Sequence, residues 1–372
     1  MKSKLLGLAL LVPFALYACS DSKDSSSDDD DTTDTTDGAT TDQDGAIVGD
    51  DDSDGATSTD DGGVVGDGAI SGTNPIEGVT VAEVGPGGGF MDGIQFLPAV
   101  GGVLLSDFAN GVYVGTGAKA GTEIYEATNP IAVALEASGK LLISEANPNS
   151  NAPHRILRVT LNPDAGPSNV VVTDVGPGGK KYHQPNDIAT RKDGNFYFTD
   201  PDYFNHAALV DGGAEYLPYE GIFRVSSAGA VSLIDSTQLR PNGIALSPDG
   251  NSLYVGTDKN TPGGSGITAK PSTIQKYTVA ADGSVAATSV KFADTTFGSE
   301  SLAVDDNGNV YSAGLGGIEV FKANGEKWGT LTVPNGATSI GFGETDRMTL
   351  YISSNGTSAK LLKAVVKVPG IL

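Results

Sequence analysis

The chain has 372 residues and carries 46 Asp and Glu against 23 Lys and Arg, a formal charge of −23. That balance, with no basic cluster anywhere, excludes nucleic-acid binding as the main task, because such surfaces are built from grouped Lys and Arg. One cysteine in the whole chain excludes a disulfide framework, so any fold must rest on its own core.

Lys2 and Lys4 precede an apolar stretch over residues 5–16, the charged and hydrophobic regions of a secretory signal, too short to span a bilayer. The stretch ends in Leu16, Tyr17, Ala18 and Cys19. This run resembles the lipobox of bacterial lipoproteins, with Tyr17 larger than that box usually holds, and it predicts a signal peptide over residues 1–18 and lipidation at Cys19. An ordinary cleaved signal is the alternative. From residue 20 to residue 75, seventeen Asp stand against one Lys and there is no aromatic residue. Such a segment cannot bury enough apolar surface to fold, so residues 19–75 are expected to be a lipidated Cys followed by a disordered Asp/Ser/Thr-rich linker. A relaxed tether of this length reaches roughly 40 Å, and self-repulsion extends it. The expected location is the bacterial cell envelope, at the outer membrane, with the lipid as the sole membrane contact.

Residues 76–372 read as strands punctuated by Gly, Pro, Asn and Asp, with no helical period. A repeat runs through them. The copies begin at Asp92 (Asp92-Gly93-Ile94-Gln95-Phe96), Ile131 (Ile131-Ala132-Val133-Ala134), Asn186 (Asn186-Asp187-Ile188-Ala189), Asn242 (Asn242-Gly243-Ile244-Ala245), Glu300 (Glu300-Ser301-Leu302-Ala303) and Thr338 (Thr338-Ser339-Ile340-Gly341). Each continues through a tight turn into a second strand. In the four clearest copies the turn glycine, Gly139, Gly194, Gly250 or Gly308, falls eight residues after the first position. Six units of about fifty residues each hold one four-stranded blade, which predicts an all-β, six-bladed β-propeller over residues 76–372. In a propeller the innermost strands start beside the central channel, so the six first positions are expected to form a ring around one axis.

Four of those six positions are oxygen donors: Asp92, Asn186, Asn242 and Glu300. Two carboxylates and two amides on one ring make a hard site that suits a divalent ion, Ca²⁺ first, and offer nothing to thiophilic metals. Asn186 and Asn242 each follow a proline, and Asn after Pro is also a common turn residue. For either one alone both readings are open; the matched register of all four favours the ligand set.

These residues resemble the senescence marker protein and gluconolactonase family, with paraoxonases as more distant relatives. The motifs that carry the resemblance are Gln184-Pro185-Asn186-Asp187 with Phe196-Tyr197-Phe198-Thr199-Asp200-Pro201-Asp202-Tyr203, then Arg240-Pro241-Asn242-Gly243-Ile244-Ala245-Leu246-Ser247-Pro248-Asp249-Gly250, and Asp346-Arg347-Met348-Thr349-Leu350-Tyr351-Ile352 at the last blade. The resemblance implies a six-bladed propeller with a divalent ion, usually calcium, at the channel mouth. It also implies hydrolysis of lactones or related esters. The family's ligands, an acid of the first blade, two asparagines and a later acid, carry over onto Asp92, Asn186, Asn242 and Glu300. The family mostly has Glu where Asp92 stands and Asp where Glu300 stands, so one carboxylate is retracted by a methylene and the other extended.

On this reading the bound ion polarises a carbonyl and Glu300, which matches the family's proposed base, takes a proton from water. Asp187 is expected to orient a ligand or to make a strand-start hydrogen bond. His183, His206, Tyr203, Tyr216 and Tyr219 lie where a lid would approach a substrate; His183, Tyr203 and Asp187 are the substrate-binding candidates. His154 receives no role. The Val-Gly-Pro-Gly-Gly runs at Val84 and Val175 open no helix and read as connections between blades. The expected function is a metal-dependent lactonase acting as a monomer on a small-molecule lactone or ester. The alternative is a non-catalytic, envelope-tethered binding propeller with a structural calcium ion.

Overall fold

The structure, a computed structural model, describes residues 72–85, 88–109, 111–146, 154–162, 164–203, 215–257, 272–356 and 359–371. Residues 1–71, on which the expected signal peptide, Cys19 and most of the expected linker fall, and His206 lie outside the described residues.

The first strand, β1 (Val81–Gly85), is followed by β2 (Met91–Leu97), β3 (Gly102–Asp107), β4 (Gly111–Val114) and β5 (Glu123–Tyr125), which form one four-stranded antiparallel sheet. The second sheet is β6 (Pro130–Leu135), β7 (Leu141–Glu145), β8 (Arg155–Thr160) and β9 (Ser168–Thr173), and the third is β10 (Ile188–Thr190), β11 (Phe196–Asp200), β12 (Gly221–Val225) and β13 (Val231–Asp235). The fourth is β14 (Pro241–Leu246), β15 (Ser252–Thr257), β16 (Thr273–Val279) and β17 (Val285–Asp294), and the fifth is β18 (Ser301–Val304), β19 (Val310–Gly314), β20 (Gly317–Phe321) and β21 (Lys327–Leu331). In the sixth, β22 (Ala337–Gly343), β23 (Thr349–Ser354) and β24 (Leu361–Val365) take β1 as their outer strand, with Val81 opposite Ala364. This is a six-bladed β-propeller. Its first strand closes the ring by completing the last blade.

The second strand of each blade is an uninterrupted apolar run where neighbours cover both of its faces. Leu141, Leu142 and Ile143 in β7, and Phe196, Tyr197 and Phe198 in β11, are all buried. Outer strands such as β9 are mostly exposed. The core is accordingly divided into six layers, each between adjacent blades: Leu104 and Val112 of the first blade meet Leu141 and Leu157 of the second, and Tyr197 of the third meets Ile244 and Leu253 of the fourth.

The repeat's turn glycines sit where hairpins need positive φ: Gly139 at +80°, Gly194 at +86°, Gly250 at +69° and Gly308 at +77°. In the two looser copies the left-handed residue comes nine positions after the first, Gly101 at +63° and Arg347 at +57°. Their inner strands β2 and β22 are seven residues long, one or more longer than the others.

One local feature aims the ring residues. At Asp92, Ile131, Asn242 and Thr338 the inner strand carries an irregularity in its pairing: Met91 faces Asp107 but Gly93 faces Ser106, and Pro241 faces Thr257 but Ile244 faces Val255. Each is a bulge with one extra residue on the inner strand. A bulge frees a residue from the ladder and re-aims its side chain. Asn186 and Glu300 stand just ahead of their strands, held by N–H bonds to Thr199 O and Ala313 O, both 2.8 Å.

Candidate functional site

A belt of hydroxyls lies beneath the ring. The hydroxyl near the end of one blade's second strand donates to the ring carbonyl of the next blade: Ser106 to Ile131 O, Ser144 to Asn186 O at 2.7 Å, and Thr199 to Asn242 O at 2.7 Å. Ser353 joins the sixth blade to the first through Met91 O at 2.9 Å, whereas Ser312 of the fifth bonds within its own blade, to Ser299 Oγ at 3.0 Å. At the joint between the fourth and fifth blades, Gly256 replaces the hydroxyl residue; a Cβ there would lie 1.9 Å from Ser299 Oγ. Glu300 is therefore delivered without this staple.

Buried acids fix the segments that lead into the ring. Asp107 accepts Gly89 N–H at 2.9 Å, Glu145 accepts Thr128 N–H at 2.7 Å, and Asp200 accepts His183 N–H and Gln184 N–H at 3.1 and 2.6 Å. Each acid grips the backbone three residues ahead of a ring position. The half-buried Glu220 holds Arg240 N–H, two residues ahead of Asn242, at 2.8 Å, and the buried Glu319 holds Thr296 N–H and Phe297 N–H, four and three residues ahead of Glu300, at 2.8 and 3.3 Å. Sequence reasoning passed over these clamps, although a signal was present: Ser106-Asp107, Ser144-Glu145 and Thr199-Asp200 place a hydroxyl and an acid together at the end of the second strand in three consecutive repeats.

Of the four donors, Asn242 and Glu300 touch directly. Asn242 Nδ2 donates to Glu300 Oε2 at 2.8 Å and to the Tyr203 hydroxyl at 2.9 Å. A carboxylate only accepts, so this contact fixes which end of the amide is nitrogen. Asn242 Oδ1 faces the other way, buried and without a hydrogen-bond partner among the described residues, in a side chain 2% exposed. A buried acceptor left unpaired costs about 1–3 kcal/mol. Asn186 is buried, whereas Asp92 and Glu300 are half-buried.

Asp92 feels the charge of Asp187. Burial first, and that charge second, hold its carboxyl well above the usual range. Burial likewise pushes the Asp187 carboxyl up to about 7, against the backbone N–H groups of Ile244 and Ile188 that lower it. The bond from Ile244 N–H, at 3.1 Å, ties the fourth blade to the third, and the one from Ile188 N–H, at 2.9 Å, is made within the third. Raised carboxyl pKa values mean that the folded chain holds protons more tightly than the unfolded one. The stability this contributes is complete below ordinary carboxylate values and is lost as pH rises through about 7. Chelator-treated protein is therefore expected to unfold at lower urea concentration at about pH 8.5 than at about pH 5.5. A urea midpoint that does not fall with pH contradicts this account.

The weaker candidates separate. The ring of His183 is 1% exposed, stacks on Tyr216 at 5.8 Å, and has Nδ1 3.6 Å from Asp202 Oδ2. His154 is also buried and meets the His183 carbonyl through Nδ1. Tyr203 belongs to the ring through Asn242. The run after Val175 forms a single 3-10 turn, Pro177–Gly179, between β9 and β10.

Below the ring the channel holds about 140 Å³, lined by inner-strand residues of every blade, with Asp187 near the top and Ile371 among its walls. Ligand pockets usually have about 300–1,000 Å³, so a sugar-sized molecule is confined to the mouth. No group of three or more His, Cys, Asp or Glu side chains converges as a metal cluster among the described residues.

Comparison with known proteins agrees with this architecture. A gluconolactonase of Zymomonas mobilis is 32% identical over 188 residues, 48% of this chain and 49% of that one, so the match takes in about half the length of that curated relative. A solved gluconolactonase from Xanthomonas campestris has a TM-score of 0.61 at 21% identity and covers 79% of this chain and 92% of its own. A calcium-binding protein, regucalcin, from Agrobacterium tumefaciens has a TM-score of 0.58 at 16% identity, covering 78% and 95%. At these identities the two solved structures speak for the fold. Residues 92–356, which run from the first blade's inner strand to just past the last blade's second strand, match the sequence family described as SMP-30/Gluconolactonase/LRE-like region, and the chain belongs to that family.

Proposed function

We propose that the chain hydrolyses lactones or related esters at the channel mouth, using a divalent cation, calcium first, held by Asp92, Asn186, Asn242 and Glu300. The observation that carries this reading is the buried, unpartnered Oδ1 of Asn242 beside the Glu300 carboxylate. Membership of a family that includes gluconolactonases, and a structural neighbour named as calcium-binding, support it.

A hard cation bound there supplies Lewis-acid polarisation of the substrate carbonyl. Asp92, Asn186 and Asn242 bind and orient. Glu300, half-buried where the two asparagines are buried, takes the proton of the attacking water as the water oxygen bonds to the carbonyl carbon. The C–O bond of the ring then breaks, and the same proton passes from Glu300 to the leaving alkoxide oxygen. The narrow channel below keeps the lactone at this level.

Hydrolysis of a panel of small lactones by purified protein, with and without chelator, tests the proposal. Turnover that disappears with chelator and returns with calcium is the expected result. Calcium binding with no lactone hydrolysed replaces the enzyme with a binding propeller.

A further inference from the structure

The amide of Asn242 has two N–H donors, and both are engaged, one by Glu300 Oε2 and one by the Tyr203 hydroxyl. The two partners are not equivalent. On the reading of the ring as a cation site, on which this inference rests, Glu300 is itself a ligand and its oxygen is shared between the amide and the cation. The Tyr203 hydroxyl is neutral, so its hold on Nδ2 does not compete. Tyr203 is in turn locked from behind. The Arg240 guanidinium stacks 4.9 Å from its ring centroid, and Arg240 Nε lies 3.4 Å from Glu220 Oε1. Glu220 also accepts the backbone N–H groups of Arg240 and Asp202, both at 2.8 Å, one on each side of the stack. Arg240 is 3% exposed and adopts φ +51°, the left-handed region that costs an ordinary residue roughly 1–2 kcal/mol. An Arg kept there, two residues ahead of a ring donor, points to a positional demand.

We propose that Tyr203 is a positioning residue for the cation site: its hydroxyl, braced by the Arg240 and Glu220 pair, holds the Asn242 carboxamide so that Oδ1 is presented to the cation. This assigns Tyr203 a task different from substrate contact. One face of its ring is covered by Arg240 and its oxygen is committed to Asn242. Hydrogen-bond partners of metal ligands typically change affinity by about 10–100-fold when removed.

Tyr203→Phe keeps the ring for Arg240 and deletes only the hydroxyl. Calcium titration calorimetry on full-length protein is expected to show Kd raised by about 10-fold or more, with lactone turnover recovering as calcium is raised. Tyr197→Phe is the matched control, because its hydroxyl donates to Gly283 O at 2.8 Å, a contact outside the ring. That variant is expected to lose thermal stability while its calcium Kd stays at the wild-type value. Equal calcium affinity of Tyr203→Phe and wild type overturns the inference while leaving the cation site standing. So does a fall in kcat that persists at saturating calcium with Kd unchanged, which places Tyr203 on the substrate. Wild-type protein that binds no calcium overturns the cation reading and this inference together.

Discussion

Glu300→Gln is expected to lower kcat for lactone hydrolysis by about 10²-fold or more, even at saturating calcium, the usual size of a general-base contribution. The substitution preserves shape and an oxygen donor, so Asn242 Nδ2 retains an acceptor where Glu300 Oε2 now sits at 2.8 Å. What it removes is the ability to take a proton, together with one unit of ligand charge. Calcium affinity therefore falls as well. The diagnostic is that raising calcium restores occupancy without restoring rate. A saturated Glu300→Gln protein that turns over as fast as wild type shows that the proton goes elsewhere, and Asp92 becomes the next residue to test.

Asn242→Ala is expected to behave in the opposite way. It deletes the buried acceptor that the fold leaves unsatisfied, so calcium affinity should fall by about 100-fold or more, at or beyond the upper end of what outer partners of a ligand cost. Activity lost at low calcium should return, at least in part, as calcium is raised, because the base is intact. Stability supplies a second readout. In chelator, removing an unpaired buried oxygen relieves a cost of about 1–3 kcal/mol, which offsets the lost contacts to Tyr203 and Glu300. Metal-free variant and wild type should then unfold at similar temperatures, while the rise on adding calcium shrinks in the variant as its occupancy falls. An undiminished thermal shift at low calcium removes Asn242 from the ligand set.

The architecture was legible because it repeats. A hairpin that needs positive φ at one position writes a glycine there in four copies, and Gly139, Gly194, Gly250 and Gly308 all adopt it. Once the copies are aligned, the first positions read as a set, and of its four oxygen donors the structure brings Asn242 and Glu300 into direct contact. The two looser copies show where the pattern weakens. Their turns are a residue later, and Arg347 takes the left-handed conformation without being glycine, held by a paired Asp306 and by Gly370 O. A sequence scan keyed to glycine gives that copy no weight.

The rest of the site depended on tertiary structure, because its contacts join residues far apart in the chain through geometry that no local pattern encodes. Asp92 and Asn242 sit at bulges, and an extra residue in one strand can be recognised only once its partner is placed. Whether Asn242 was a turn residue or a donor was open from its sequence; the position of Glu300, 58 residues on, decides which way the amide faces. Tyr203 read as one of several tyrosines beside a loop, and only the packing of Arg240 and Glu220 behind it ties it to the ring. Composition and repeat thus determined by themselves the all-β class and the blade count. Orientation came from the fold, since a side chain's direction is set by the strand across from it and not by its neighbours in sequence.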